Sequence, residues 1–210
     1  MTNIFLKRHI FLAQISLALG SFLATHAPLI QHLVALAHVH ALRGQPERAH
    51  LDFRIKWPND IYFGPRTKIG GVIVKSSVLR DSITVTIGAG INLDNQLPTV
   101  SINQILRDSC LNVLDQEVFL AQVFNCLEEI IWKCSSDQYS EVESLYYKYW
   151  LHGDQEIRVQ DRDTERRVTV VGIDQFGFLR VKDADDVVFS VMDDGNSFDM
   201  MEGLVKPKER

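Results

Sequence analysis

Two hydrophobic patterns occupy the first part of the chain. In the run IFLAQISLALGSFLA, Ile15, Leu17 and Leu19 recur at every second position, which predicts a β-strand. The basic residues before this run imitate the start of a secretory signal, but polar residues interrupt the apolar stretch, which is too short to span a bilayer. After Pro28, apolar residues recur at helical spacing as far as Gly44, which predicts an amphipathic or buried helix.

The middle of the chain alternates between strand and helix patterns. FRIKW, IGGVIVKSSVL and ITVTIGAGINL are typical of strands, and the last two are joined around Arg80-Asp81-Ser82. Asp115 can cap a following helix, whose apolar face contains Phe119, Val123, Leu127 and Ile130. We therefore predict an α/β (α+β) domain in which a mixed sheet packs with helices on one face.

The pattern changes after LYYKYW at residues 145–150. EIRVQ, RRVTVVGID, GFLRVKD and VVFSVMD follow one another as short strands with turn residues between them, which indicates a small SH3-like β-barrel. We expect two domains, at residues 1–150 and 151–210. The aromatic side chains before the boundary are predicted to pack between the domains rather than to stack on bases. They are Tyr146, Tyr147, Tyr149 and Trp150.

Composition and charge narrow the classes of partner. The 210 residues are 46% hydrophobic and 23% charged, enough for a core of ordinary size. A net charge of −5 lacks the basic excess that DNA or RNA binding requires, so we expect no nucleic-acid partner. Because the apolar run near the start is short and interrupted, we expect no membrane partner either. The cysteines, Cys110, Cys126 and Cys134, are predicted to be reduced, buried thiols of a cytoplasmic protein, with mitochondria as the other compartment. The histidines have no zinc-ligand spacing, and we expect no tightly bound metal.

Candidate chemistry is concentrated in RIKWPNDIYFGPRTKIGGVIV and TIGAGIN. Lys68 lies beside the glycine pair of KIGG, where an ammonium group and bare backbone can approach an anion together, and Lys56 precedes the Pro-Asn-Asp turn. Gly88 and Gly90 alternate on one side of a strand, and Asn92 offers hydrogen-bond donors and acceptors at its end. Alternatively, the glycines mark bulges or tight packing and the lysines extend to solvent. The residues alone indicate a pocket for an anion or flat ligand and leave both interpretations open.

Three motifs in this region resemble the catalytic domain of biotin protein ligases. They are KWPND at 56–60, KIGG at 68–71 and GAGIN at 88–92, and the resemblance is strongest to the eukaryotic holocarboxylase synthetases. It extends back through LIQHLVALA and forward through LYYKYW to DGNSFDMM. Lipoate ligases and octanoyl transferases share the general fold but are not expected to combine KWPND with GAGIN.

The resemblance implies a two-step reaction with ATP and biotin as substrates. The biotin carboxylate attacks the α-phosphate of ATP to give biotinyl-5'-AMP and pyrophosphate. A lysine of a carboxylase acceptor domain then attacks the acyl carbon. The carboxylases are therefore the implied protein partners.

The resemblance also implies roles for individual residues. Lys68 is the implied catalytic residue, because its ammonium group would contact carboxylate and phosphate together. The implied phosphate side contains Lys56, Asn59 and Asp60, and Asp60 is a candidate ligand for Mg²⁺. The implied slot for biotin and the adenylate contains Gly71, Gly88, Gly90 and Asn92.

One family feature is missing from residues 1–12. Upstream of KWPND the family carries a Gly-Arg-Gly-type loop and a Ser/Thr-containing strand that grips the ureido group, whereas this segment contains neither glycine nor the arginine repeat. We expect the chain to begin after the loop that shields the adenylate from water, and to be impaired on its own. Two hypotheses follow: a biotin protein ligase catalytic domain, or a non-catalytic module that binds carboxylase acceptor domains.

Overall fold

A six-stranded sheet organises the first 91 residues of the chain. The computed structural model describes residues 3–7, 10–79, 81–95, 99–161, 164–192, 196–199 and 204–207. The strands pair in the order β1-β2-β6-β5-β4-β3, and all five pairs are antiparallel. Their bounds are β1 Asn3–Lys7, β2 Ile10–Ala18, β3 Phe53–Lys56, β4 Asp60–Phe63, β5 Thr67–Leu79 and β6 Ser82–Ile91.

Helices cover one face of this sheet. The second helix is buried on nearly all sides, and the fourth begins where the Asp115 carboxylate accepts hydrogen bonds from the amides of Glu117 and Val118. Its predicted apolar residues are buried, which confirms that amphipathic face. The helices are α1 Phe22–Thr25, α2 Ile30–Arg43, α3 Ile102–Asp108, α4 Gln116–Cys134 and α5 Tyr139–Tyr149. Within the described residues, no helix is both long enough and apolar enough to cross a membrane.

The predicted α+β class is confirmed, with one correction to the first sheet. Its strands pair antiparallel rather than in the mixed arrangement that we predicted. Connections of two or three residues join β3 to β4, β4 to β5 and β5 to β6, and connections this short favour antiparallel neighbours. The β5–β6 hairpin is confirmed around Asp81, while Arg80 lies outside the described residues. A parallel bridge also joins Ile55 to Trp150.

A second six-stranded sheet follows the helices. Its order is β10-β9-β8-β7-β12-β11, antiparallel except for the parallel pair β12–β7. The small C-terminal β-structure is therefore confirmed, whereas its closure into a barrel and the domain limits 1–150 and 151–210 remain predictions. The strands are β7 Glu156–Asp161, β8 Thr164–Ile173, β9 Leu179–Lys182, β10 Val188–Val191, β11 Asn196–Asp199 and β12 Leu204–Pro207.

The aromatic segment at the end of α5 packs only partly as predicted. The Tyr147 hydroxyl accepts a hydrogen bond from the Ile173 amide of β8 at 3.1 Å, and the Tyr147 ring contacts Trp150. Tyr146 is buried against His32 of α2, and Tyr149 also packs on α2. The seam between the sheets thus uses only part of this segment.

The prediction of buried thiols is correct for one of the three cysteines, Cys134. All three are free thiols, with Cys134 buried and Cys126 half-buried. Cys110 is exposed, contrary to the prediction, because it lies in the turn after α3 with a left-handed backbone (φ 57°). Burial raises the pKa of the Cys134 thiol to about 11, so this thiol stays protonated at neutral pH.

Replacing Gly177 with alanine should destabilise the junction of the two sheets. Gly177 has φ +80°, and an added Cβ would overlap the buried His32 ring, whose Cδ2 would lie 2.6 Å away. We expect the free energy of unfolding to fall by about 2–4 kcal/mol, measured by urea denaturation. Gly153→Ala is the control, because its added Cβ would meet no atom within 4 Å. Equal urea midpoints for the two variants would contradict this account of the junction.

Candidate functional site

The candidate site lies on the face of the first sheet that the helices leave uncovered. On β6, Val85, Ile87 and Ala89 are buried towards the helices. Because side chains alternate along a strand, Gly88 and Gly90 lie on the opposite, outer face. The prediction that these two glycines share one side of a strand is confirmed.

The strand register aligns several predicted residues in one row. Ile10, Gly90, Gly71, Asp60 and Lys56 are successive partners across β2, β6, β5, β4 and β3. Residues in such a row project from the same face of a sheet. Because Gly90 and Gly71 have no side chains, the row has a gap between Ile10 on β2 and Asp60 on β4. The backbones of these two strands are about 14 Å apart.

A second row extends this gap along the strands. Leu12, Gly88 and Ile73 are partners across β2, β6 and β5, and the two apolar side chains are 44% and 62% exposed. We call the surface over Gly71, Gly88 and Gly90 the glycine trough. It has an open backbone floor with an apolar side chain on either side of Gly88, which suits a flat ring with an aliphatic chain.

Charged side chains close one end of the glycine trough. The Lys68 ammonium lies 2.6 Å from Asp60 Oδ1, and the Lys56 ammonium lies 4.0 Å from Asp60 Oδ2. Lys56 is only 7% exposed and lies 5.5 Å from the centre of the Tyr62 ring, whereas the Lys68 side chain is 54% exposed. The exposed Lys68 is therefore the cation that an incoming anion can reach most directly.

A β-bulge places Lys68 on this face. Asp60 pairs with Gly71, but the register shifts by one residue so that Tyr62 pairs with Lys68. In a regular strand with Gly71 facing outward, Lys68 would point towards the helices. Ile69 is the extra residue of the bulge, and its side chain is completely buried. Lys68 therefore points outward, beside Asp60.

The Trp57-Pro58-Asn59 turn is held from several sides. Its Trp57–Pro58 peptide bond is cis. The Trp57 amide donates to Nε2 of His152 at 3.0 Å, and the Trp57 indole donates to the Gly177 carbonyl at 3.0 Å. The Asn59 carbonyl accepts from the Val72 amide at 2.8 Å. The turn thereby holds Asn59 and Asp60 against β5.

Asn92 lies just beyond β6, at the same end of β5 as Lys68. Its amide donates to the Ile69 carbonyl, and its carbonyl accepts from the Ile102 amide at the start of α3, both at 2.8 Å. Its side-chain Oδ1 accepts from Asn95 Nδ2 at 2.8 Å. The backbone of Asn92 is thus fixed, and its side-chain amide is engaged with a neighbouring side chain.

The site contains one carboxylate, Asp60, and two ammonium groups contact it. Within the residues that the structure describes, no three His, Cys, Asp or Glu side chains form a group that could hold a metal ion. A carboxylate already matched by two cations does not fit a resident metal ion, because a hard cation needs several unshared oxygen ligands.

Sequence reasoning missed several residues around the predicted set. Ile10, Leu12 and Ile73 flank the trough, Tyr62 lies beneath Lys56, and His152 supports the turn. The apolar residues of β2 alternate on both faces, so the sequence did not indicate which of them would be exposed. Tyr62 follows Asp60 by two residues, and this spacing on a strand is the signal that could have identified it.

Two family descriptions match the chain. The biotin/lipoate A/B protein ligase family matches residues 9–92, which include the whole glycine trough and its charged end. The biotin protein ligase C-terminal domain matches residues 152–201, and the two matches together cover more than half of the chain. The first match gives the broad class of biotin and lipoate ligases. Within that class, the second match indicates the biotin protein ligases. The chain belongs to the biotin protein ligase family.

Curated relatives and solved structures agree with this assignment. The chain is 37% identical over 202 residues to a biotin–protein ligase of Homo sapiens, covering 93% of this chain and 28% of that protein. It is 35% identical over 190 residues to biotin–protein ligase 2 of Arabidopsis thaliana, covering 86% and 57%. The chain thus spans less than two thirds of either relative. The apo biotin protein ligase of Aquifex aeolicus shares the fold, with TM-score 0.62, 19% identity and coverage of 88% and 80%.

Proposed function

We propose that this chain carries the catalytic site of a biotin protein ligase. The site would activate biotin with ATP to biotinyl-5'-AMP and transfer it to a lysine of biotin-dependent carboxylases. The observation that carries the proposal is the glycine trough with Lys68 and Asp60 at its end. The names of the relatives support it, as does a solved Aquifex aeolicus biotin protein ligase that contains biotin and ATP (TM-score 0.59, 19% identity, covering 87% of this chain and 75% of that one).

The trough and its charged end fit the first step. The flat bicyclic ring would lie over the glycines, and its aliphatic chain would pack against Leu12 or Ile73. A carboxylate oxygen then attacks the α-phosphorus, and the bond to the bridging oxygen breaks as pyrophosphate leaves. Lys68 stabilises the negative charge that two approaching anions bring together. To do so, its ammonium group exchanges the Asp60 carboxylate for the substrates.

Mg²⁺ would arrive with the nucleotide in this scheme. The ion prefers to keep several waters and to bind substrate phosphates with one or two carboxylates. Asp60 becomes available as such a ligand once Lys68 has turned to the substrates, while Lys56 remains near its other oxygen. The ion is therefore part of the substrate and not a resident group of the protein.

The open outer face fits the second step. The acceptor lysine attacks the acyl carbon of the adenylate, an amide bond forms, and AMP leaves with the electron pair of the broken bond. The acceptor must reach the trough from solvent, and the exposed side chains of Leu12 and Ile73 leave that approach open.

Binding of biotin by the purified chain with a dissociation constant of about 1 μM or tighter would favour the enzyme, and weaker binding is expected if the family's upstream Gly-Arg-Gly-type loop is needed to hold the ligand. Isothermal calorimetry measures this affinity, and lipoate and octanoate titrations test the related acyl ligases. Biotin, ATP and an acceptor domain are then incubated with the chain, and mass spectrometry detects biotin on the acceptor lysine. Acceptor binding without any biotin binding would contradict the enzyme and support the non-catalytic module. Preference for lipoate would support the acyl transferases.

A further inference from the structure

A buried histidine from the C-terminal part of the chain reaches the KWPND turn. His152 is fully buried, and its Nε2 lies 3.0 Å from the Trp57 amide nitrogen. An amide can only donate, so Nε2 must be the acceptor. The proton is therefore on Nδ1, which donates to Oε1 of Gln155 at 2.9 Å. Gln155 thus fixes the ring tautomer that the Trp57 amide requires.

The neutral form of this histidine is favoured. Burial lowers the pKa of His152 to about 4, the Gln155 hydrogen bond opposes this shift, and the positive charge of Lys56 adds to it. At neutral pH the ring is uncharged, and Nε2 keeps the lone pair that accepts from Trp57. Protonation would remove this acceptor and place a second cation near Lys56.

Other contacts tie the same stretch to the C-terminal part. The Leu151 amide donates to the Ile55 carbonyl at 2.9 Å, next to the parallel bridge from Ile55 to Trp150. The Trp57 indole donates to the Gly177 carbonyl. Both neighbours of Lys56 in the sequence are therefore anchored.

We infer that His152 is a positioning residue for the adenylation step. By holding the Trp57 amide it fixes the turn that presents Lys56, Asn59 and Asp60 to the nucleotide phosphates. The inference rests on the proposed function of this site. A displacement of about 1 Å in a catalytic group can lower a rate about a hundredfold. Loss of the His152 Nε2 acceptor would let the turn shift, and it would therefore lower the rate although His152 does not touch the substrate.

Two variants separate the hydrogen bond from the bulk of the ring. His152→Leu fills the space but offers no acceptor to the Trp57 amide. His152→Gln keeps an oxygen acceptor at a similar distance along the side chain. His38→Leu is the control for losing a buried histidine, because His38 is equally buried and its Nδ1 bonds only to the Val34 carbonyl of its own helix.

The first measurement is independent of activity. Hydrogen exchange of the Trp57 amide, resolved by nuclear magnetic resonance in the full chain, should be at least about tenfold faster in His152→Leu than in wild type. His152→Gln should restore protection to within about threefold, and His38→Leu should change it no more than its loss of global stability requires. Wild-type protection in His152→Leu would overturn the inference.

The second measurement uses biotin-dependent exchange of pyrophosphate into ATP. We expect kcat/KM for ATP to fall about 10- to 100-fold in His152→Leu, while the biotin dissociation constant stays within about twofold. Rescue by His152→Gln supports positioning. Equal losses in ATP turnover and biotin affinity, matching those of His38→Leu, would indicate a structural role only. If the wild type neither binds biotin nor catalyses exchange, the proposed function fails, and with it the catalytic role of His152. Protection of the Trp57 amide still decides whether His152 holds the turn.

Discussion

Lys68→Ala should lower biotin-dependent pyrophosphate exchange at least about 10²-fold, the loss typical of removing one electrostatic stabiliser of a transition state. Lys68 is the exposed cation at the end of the glycine trough, where its ammonium group contacts Asp60 Oδ1 beside Gly71. The Lys68 side chain is 54% exposed, and Lys56 remains near the Asp60 carboxylate when Lys68 is removed, so the melting temperature should change little. The defect should therefore lie in chemistry and not in folding.

Two further lysine variants sharpen this experiment. Lys75→Ala removes the same side chain from the same strand and face, four residues beyond Gly71, and should leave exchange within about twofold of wild type. Lys68→Arg keeps the charge but replaces a compact ammonium group with a planar fork, so rescue should be partial. Wild-type exchange in Lys68→Ala would remove Lys68 from the mechanism.

Four strands of the first sheet, β2, β3, β5 and β6, were predictable because their signal is local, whereas β1 and β4 were not predicted. A period of two along β2 and β6 requires only neighbouring residues, and it correctly placed Gly88 and Gly90 on one face. The capped start of α4 is similarly local, since the Asp115 carboxylate bonds to amides two and three residues ahead. The sheet type was not predictable in this way, because pairing direction depends on how the connections fold back.

The position of Lys68 in space depended on information that the sequence does not carry. Alternation from Gly71 along a regular strand would have pointed Lys68 towards the helices, and only the bulge opposite Ile61 and Tyr62 reverses this. A bulge is a property of two paired strands. The motif resemblance selected Lys68 as catalytic, while periodicity along β5 supplied no geometric reason for that choice.

The contacts that hold the Trp57-Pro58-Asn59 turn in place could be predicted even less from the sequence. His152 is 95 residues from Trp57, and in the sequence it is one of seven histidines with no distinguishing pattern. Its role follows from its distance to one amide and from the tautomer that Gln155 fixes. Such contacts need the packed arrangement of the two sheets, which periodicity within single elements cannot specify.

Gly90→Val should weaken biotin binding about 10- to 100-fold while leaving the fold intact. An added Cβ at Gly90 would meet no protein atom within 4 Å, and a β-branched side chain suits a strand. The methyl groups would instead occupy the floor of the trough, where the proposed ring must approach the backbone. Overpacking of a fitted contact typically costs about 1–3 kcal/mol, which corresponds to this range of affinity. Calorimetry measures the affinity, and circular dichroism and thermal melting report on the fold.

Three comparisons make the result specific to the trough. Gly90→Ala is a smaller obstruction and should cause a smaller loss. Gly70→Val acts on the opposite face, where an added Cβ would lie 2.6 Å from Ile91 Cδ1 and 2.8 Å from the Gly90 carbonyl oxygen, so it should mainly lower stability. Thr86→Val changes β6 on the outer face beyond Gly88 and should preserve both affinity and stability. Native affinity in a folded Gly90→Val protein would show that biotin does not bind over this glycine, because a side chain at that position cannot coexist with a ring in contact with the backbone.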